Sequence, residues 1–402
     1  RPAAAQPGTS GVRVLLTSRL YPSSACPARG TFVHNQARFL AARAQLRVVS
    51  PTPWFPPLPG LGRWSAYGRI GRTEDHDGLL IRYPRYLSLP RRVLFTQAWR
   101  FYLAALERAA GDRPDLVHAH LAYPDGYAAA CLADRWRVPL VISVHGHDVR
   151  EIPDADPAWR ALVTTALRRA DRVICSSQDT QRRVSDLGCS PGRVRFVAQG
   201  VDCRLFCPGP RRAADATVWR LLYVGRFDER KGLRVLLESL ALLRQRRTDV
   251  TLQLVGGSPV SGGEAAFRQL AGHLGVQDHV EFVDEVPWEQ IPARLAAADI
   301  LVLPSFYDSF GIVLIEAMAC GRPVVATRCG GPEEIVTPET GVLVKPQDAV
   351  DLARGLEVAI CEYDRFDPAA IRRRAEQRYD YPRLAARIAA VYAELVPSAS
   401  PR

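Results

Sequence analysis

The chain has 402 residues, 47% of them apolar, and carries a formal net charge of +11 supplied almost wholly by arginine. That length exceeds one ordinary core and favours two domains of roughly 200 residues each, and the apolar content excludes a disordered chain apart from its ends. No apolar run approaches the ~20 residues that cross a bilayer, and the arginines are dispersed without an RNP motif or a helix-turn-helix, so no nucleic acid partner is expected.

The nine cysteines are scattered and mostly lie in apolar segments. Cys203 and Cys207 stand close, but no second pair follows at zinc spacing, so no metal is expected. A reducing cytoplasm is the expected compartment. The sequence opens on Arg1 rather than methionine, leaving room for a targeting segment upstream.

Strand-type and helix-type patterns alternate along the chain, the pattern of parallel sheets flanked by helices. Residues 1–10 read as a tail. Val12–Thr17 is a short apolar strand, Val33–Ala44 has helical spacing, and Leu46–Ser50 is the next strand. Leu116–Ala119, Leu140–Val144, Arg172–Cys175 and Val194–Val197 follow as strands. The helices Gly126–Arg135, Asp156–Ala170 and Asp179–Leu187 fall between them, which makes one doubly wound domain over 11–207. Proline, glycine and charge cluster at 208–216, a linker. The pattern restarts with strands at Arg220–Val224, Thr251–Val255, Val280–Val283, Ile300–Pro304 and Pro323–Ala326. Helices at Leu233–Arg244, Glu264–Leu274, Trp288–Ala297 and Ile312–Ala319 complete a second doubly wound domain over 217–378. Residues 379–402 hold a last helix, Leu384–Leu395, without a strand of its own. Such sheets bind ligands beyond the carboxyl ends of their strands, so two of them facing each other imply a ligand cleft.

The richest stretch runs from Pro304 to Ala326. A buried strand ends, a loop carries Asp308, and Gly311 opens a helix whose first N–H groups, those of Ile312 and Val313, point outward as in phosphate sites. Glu316 lies one turn on, placed to accept sugar hydroxyls. Taken singly, Asp308 also reads as a helix cap and Glu316 as a solvated helix residue. In the segment Leu221–Gly232 a strand ends at Gly225, and Arg226 and Lys231 follow in the loop, a fork and a point charge suited to a diphosphate. Exposed cations of a surface loop are the plain alternative. In the first half, His118, His120 and His145 lie at strand ends. His145, beside Gly146, is placed to meet a sugar hydroxyl, and the other two read as structural. Gly30 sits in the first strand-to-helix loop, where backbone amides meet phosphate.

These residues resemble the retaining glycosyltransferases of family 4, which have the GT-B fold of two Rossmann-like α/β domains facing across a cleft. The Glu-x7-Glu motif of that family is matched from Asp308 to Glu316, followed by Ala-Met-Ala-x-Gly-x-Pro-Val-Val-Ala. Its Gly-Arg-x4-Lys-Gly loop is matched from Gly225 to Gly232, and its Asn-Gly-Val-Asp turn by Gln199–Asp202 with Phe206-Cys-Pro208. The resemblance implies a nucleoside-diphosphate-sugar donor and no metal cofactor. It places Arg226 and Lys231 on the leaving diphosphate, Glu316 on the ribose and Asp308 and His145 on the transferred sugar. Gly311, Ile312 and Val313 bind phosphate through the backbone, and the last helix crosses back to the first domain. Two departures stand out: aspartate replaces the first glutamate at 308, and glutamine replaces asparagine at 199.

The implied acceptor is a glycan or lipid-linked molecule of polysaccharide or cell-envelope synthesis. The aromatic loop Trp54–Trp64, Arg91-Arg92 with Phe95, and Trp99–Tyr102 on one helix suggest an anionic membrane surface as a further partner, at the inner membrane face. The competing reading is that these aromatics cover the first core. A sugar-nucleotide epimerase on the same fold and a non-catalytic nucleotide-sugar binding protein are the alternative functions.

Overall fold

The computed structural model describes residues 11–54, 67–88, 92–210, 212–213, 215–257 and 263–396. The tail 1–10, most of the aromatic loop (55–66), Arg91 and linker positions 211 and 214 lie outside the described residues. The chain divides into two compact units, Arg1–Ala198 with Tyr381–Arg402, and Gln199–Asp380.

The first unit holds strands β1 (Arg13–Thr17), β2 (Gln45–Val49), β3 (Thr52–Trp54), β4 (Thr73–His76), β5 (Leu79–Arg82), β6 (Arg85–Leu87), β7 (Leu116–His120), β8 (Leu140–Val144), β9 (Arg172–Cys175) and β10 (Val194–Phe196). Eight of them form one sheet in the order β10-β9-β8-β7-β1-β2-β5-β4, and β3 pairs with β6. Among the described residues of this unit every pairing is parallel except β4 with β5. Strands β7 and β8 are buried at every residue, as a parallel strand covered on both faces must be. Flanking helices carry their own start signals. Asp156 accepts hydrogen bonds from the N–H groups of Ala158 (2.7 Å) and Trp159 (3.3 Å) ahead of the helix Pro157–Arg169, an N-cap followed by proline at the first helical position.

The C-terminal helix, Tyr381–Leu395, belongs to this first unit. Tyr381, Leu384, Ala385, Ile388, Val391 and Tyr392 form its buried stripe, the spacing of an amphipathic helix. Tyr381 stacks on Phe39 of the helix Thr31–Leu40 (5.3 Å). Glu394 accepts hydrogen bonds from Arg172 (2.8 Å) and Arg195 (2.7 Å), and these guanidinium groups hold its carboxyl down at about 2.

The second unit is a sheet of six parallel strands, β11 (Trp219–Val224), β12 (Val250–Val255), β13 (Val280–Val283), β14 (Ile300–Leu303), β15 (Val324–Thr327) and β16 (Gly341–Val344), in the order β13-β12-β11-β14-β15-β16. The chain winds outward from β11 to β13, returns to β14 and winds the other way. The switch point lies between β11 and β14, where such sheets place ligands. In the first unit the corresponding reversal lies between β1 and β7.

The unit boundary falls at 198/199 rather than at 207, because the turn from Gln199 to Phe206 is tied to the end of the second unit. Val201 bridges to Asp380, and Arg372 donates to the carbonyls of Phe206 and Cys203, each at 2.9 Å. The linker is tethered too: Arg322, 2% exposed, donates to the Pro210 carbonyl at 2.7 Å. Arg212 and Arg220 both pair with the fully buried Asp299, at 3.2 and 3.0 Å. The aromatic segment expected as one helix is broken. Arg92 and Leu94 have positive φ, a one-turn 3-10 helix spans Phe95–Gln97, and the α-helix begins at Ala98. Tyr102 on that helix is fully buried.

Candidate active site

In the second unit the loops after β11 and β14 meet at the switch point. Tyr223, buried in β11, donates to the Arg226 carbonyl at 2.7 Å and so sets the path of the loop. Gly225 allows this closeness: a Cβ there would stand 2.8 Å from the Tyr223 hydroxyl oxygen. Asp228 accepts from the Lys231 N–H at 3.1 Å and opens the short 3-10 turn Glu229–Lys231. Gly232, at φ +76°, follows against the Pro304 carbonyl at the end of β14, where a Cβ would come to 2.0 Å. The Phe306 N–H donates to the Arg230 carbonyl (2.9 Å), joining the two loops.

These backbone contacts bring Lys231 and Asp308 together. The ammonium donates to Asp308 Oδ2 at 2.9 Å, with the two side chains 24% and 17% exposed. Arg226 lies further out and pairs with Asp228 at 3.2 Å. Asp308 does not cap the helix: its Oδ1 accepts from the Phe310 N–H at 3.2 Å. The helix Ile312–Ala319 instead starts from Gly311 at φ 91°, ψ 58°, with no side-chain cap. The first N–H groups of a helix have no intrahelical acceptor, and here those of Ile312 and Val313 open the helix a few residues past Asp308 in the chain.

Glu316 is not a solvated helix residue. It is 9% exposed, and its Oε1 accepts from the Trp288 indole N–H at 3.4 Å. Burial pushes its carboxyl up to about 7, against a smaller opposing effect of the Trp288 hydrogen bond. Trp288 meets Phe206 edge-on (5.5 Å). Its position in the 3-10 turn Trp288–Gln290, at the start of an apolar helical pattern, gave no hint of a partner carboxylate far along the chain.

In the first unit the structure brings Gly30 and His145 into one neighbourhood. Gly30, at φ +70°, packs on the Leu20 carbonyl, where a Cβ would come to 2.4 Å. Two residues on, Phe32 meets the His145 ring edge-on at 4.8 Å. Asp148, fully buried, accepts from the His145 N–H (2.9 Å) and the Ala122 N–H (2.8 Å), joining the loops after β8 and β7. Sequence reasoning missed Asp148, whose signal was its place three residues beyond His145 at a strand end. His118 is engaged at both nitrogens, with the Tyr392 hydroxyl (2.7 Å) and Ser143 Oγ (2.8 Å). Burial pushes His118 down to about 3 and His145 down to about 4.

Comparison with known proteins matches residues 30–205 to the model described as Glycosyltransferase Family 4 and residues 211–377 to that of Glycosyl transferases group 1. Among relatives, the D-inositol 3-phosphate glycosyltransferase 2 of Catenulispora acidiphila is 36% identical over 307 residues, covering 69% of this chain and 71% of that one. The D-inositol 3-phosphate glycosyltransferase of Geodermatophilus obscurus is 32% identical over 364 residues, covering 82% and 79%. The fold is shared with sucrose-phosphate synthase from Thermosynechococcus elongatus (TM-score 0.75, 24% identity, 96% and 99% covered). It is shared also with Anabaena HepE in complex with UDP-glucose (TM-score 0.72, 21% identity, 96% and 100% covered). By these relatives and by its two α/β units, the chain belongs to glycosyltransferase family 4 and has the GT-B fold.

Proposed function

We propose that the protein transfers a sugar from a nucleoside diphosphate to an acceptor hydroxyl with retention of anomeric configuration. The observation that carries this reading is the convergence, at the β11/β14 switch point, of Lys231, Asp308, a glycine-opened helix start and the buried Glu316. The diphosphate lies against the N–H groups of Ile312 and Val313 and competes with Asp308 for Lys231. Arg226 turns from Asp228 to the same phosphates. Glu316 accepts the ribose hydroxyls, Asp308 faces the transferred sugar, and His145 hydrogen-bonds one of its hydroxyls. Gly30 gives the first unit a backbone approach to the donor.

The acceptor oxygen attacks the anomeric carbon on the face from which the diphosphate departs. The C1–O bond to phosphate breaks, the C1–O bond to the acceptor forms, and the acceptor proton passes to the leaving phosphate oxygen. Negative charge grows on that phosphate, where Lys231, Arg226 and the helix start are already aimed. No metal is required by this scheme.

The acceptor is a glycan or a lipid-linked molecule of envelope or polysaccharide synthesis, met at the inner membrane face. What supports the membrane part is a set of exposed apolar residues on the first unit. Trp54 (53% exposed) and Leu87 (43%) are cross-strand partners in β3 and β6, and Val93 and Leu94 follow next to Arg92. The relatives named for D-inositol 3-phosphate make a phosphorylated polyol the competing acceptor. The test is product analysis by NMR with anomerically pure donor. An α-linked product from an α-linked donor supports retention, and a β-linked product rejects it. Failure of the protein to float with anionic vesicles removes the membrane part.

A further inference from the structure

Beside His145 stands a second histidine that the scheme above does not use. His120 ends β7, next to the end of β8, and is fully buried. Its Nδ1 lies 3.0 Å from His145 Nε2, with the two rings nearly parallel at 4°. We propose that His120 is a positioning residue that donates from Nδ1 to His145 Nε2 and thereby fixes the His145 proton on Nδ1.

Two pairings fit the 3.0 Å contact, since one nitrogen must donate and the other accept. Burial keeps both rings neutral, so each carries a single ring proton. If His145 donated, His120 would accept at Nδ1 and carry its own proton on Nε2. That nitrogen is buried and has no hydrogen-bond partner among the described residues. The neighbouring His118, 4.6 Å away ring to ring, offers no acceptor, because Tyr392 and Ser143 occupy both its nitrogens. A buried N–H without an acceptor is the rarer and costlier defect, and a bare acceptor is tolerated more readily. Donation from His120 leaves only the bare acceptor. It makes His145 a donor through Nδ1, while Asp148 holds the His145 backbone N–H. His145 therefore donates to a sugar oxygen and does not take a proton from it at Nδ1. The catalytic consequence rests on the proposed sugar contact of His145. The tautomer itself does not.

The direct test is two-bond 1H–15N correlation on the full chain labelled at histidine nitrogen, at pH 7, with His145→Gln assigning the signals. The expected pattern is His145 protonated at Nδ1 and bare at Nε2. Replacement by His120→Leu should release it to a mixed or Nε2-protonated form and lower kcat about tenfold, the worth of one hydrogen bond. His120→Asn, whose amide nitrogen stands near the place of Nδ1, should restore the Nδ1 tautomer and most of the lost rate. An Nε2-protonated His145 in the unaltered protein, or a tautomer indifferent to His120→Leu, overturns the proposal. A tautomer that follows His120 while kcat stays constant in His120→Leu and His145→Gln upholds it and sinks the sugar contact instead.

Discussion

Glu316 is expected to cost the empty protein stability at neutral pH, and replacing it with glutamine should recover that stability while harming function. Its carboxyl titrates at an ordinary 4.5 in the unfolded chain and at about 7 when folded, because burial penalises the charged form. Below pH 4.5 both states hold the proton and nothing is lost. Between 4.5 and 7 only the folded state holds it, so stability falls as pH rises. Above 7 the whole difference is felt. At 1.36 kcal/mol per pH unit it comes to about 3 kcal/mol. For a unit of this size that corresponds to a rise in Tm of about 6–12 °C for Glu316→Gln at pH 8, shrinking toward zero at pH 4.5. Calorimetry of both proteins at pH 4.5, 6 and 8, without nucleotide, reads the trend. A Glu316→Gln protein no more stable at pH 8 than its parent, or a gap that ignores pH, would mean that burial does not raise the Glu316 carboxyl. The same substitution should weaken nucleotide binding by about 1.5–3 kcal/mol, the worth of hydrogen bonds to a charged group.

Lys231→Met should lower kcat by about 10²–10³, as loss of a donor aimed at developing charge does, and steady-state transfer assays check it. Gly232→Ala should fail by misfolding, since a Cβ there would sit 2.0 Å from the Pro304 carbonyl oxygen; a soluble, fully active variant would contradict the packing described. Tyr392→Phe should destabilise the first unit by about 1–3 kcal/mol by leaving His118 Nδ1 buried without its partner, measurable by denaturant titration.

The alternation of apolar strands with helical segments carried the fold because parallel strands buried on both faces read as near-continuous apolar runs. Leu140–Val144 and Ile300–Leu303 are examples. The pieces missed are those that tertiary context decides. Short strands such as β3 and β6 have only three residues each, too few for a period to register. The helix Val33–Ala44 expected from spacing runs instead from Thr31 to Leu40, because Gly30 in a left-handed conformation sets its start. At the site, Gly311 was legible as the helix opener from its place between a buried strand and a helical run, and its positive φ, which glycine tolerates, came only with the structure. The pairing of Lys231 with Asp308 was not, nor that of Trp288 with Glu316, because each joins residues distant in sequence through sheet topology.

The most direct test of the central claim is thermal unfolding of the full chain with UDP-, GDP- and ADP-sugars and their free diphosphates, repeated on Lys231→Met. A ligand at a hundred times its Kd adds about 2.7 kcal/mol. One nucleotide series is expected to raise Tm clearly, and Lys231→Met to lose most of that rise. No rise with any nucleotide in a folded sample, or an equal rise in Lys231→Met, would contradict the donor site at the β11/β14 switch point.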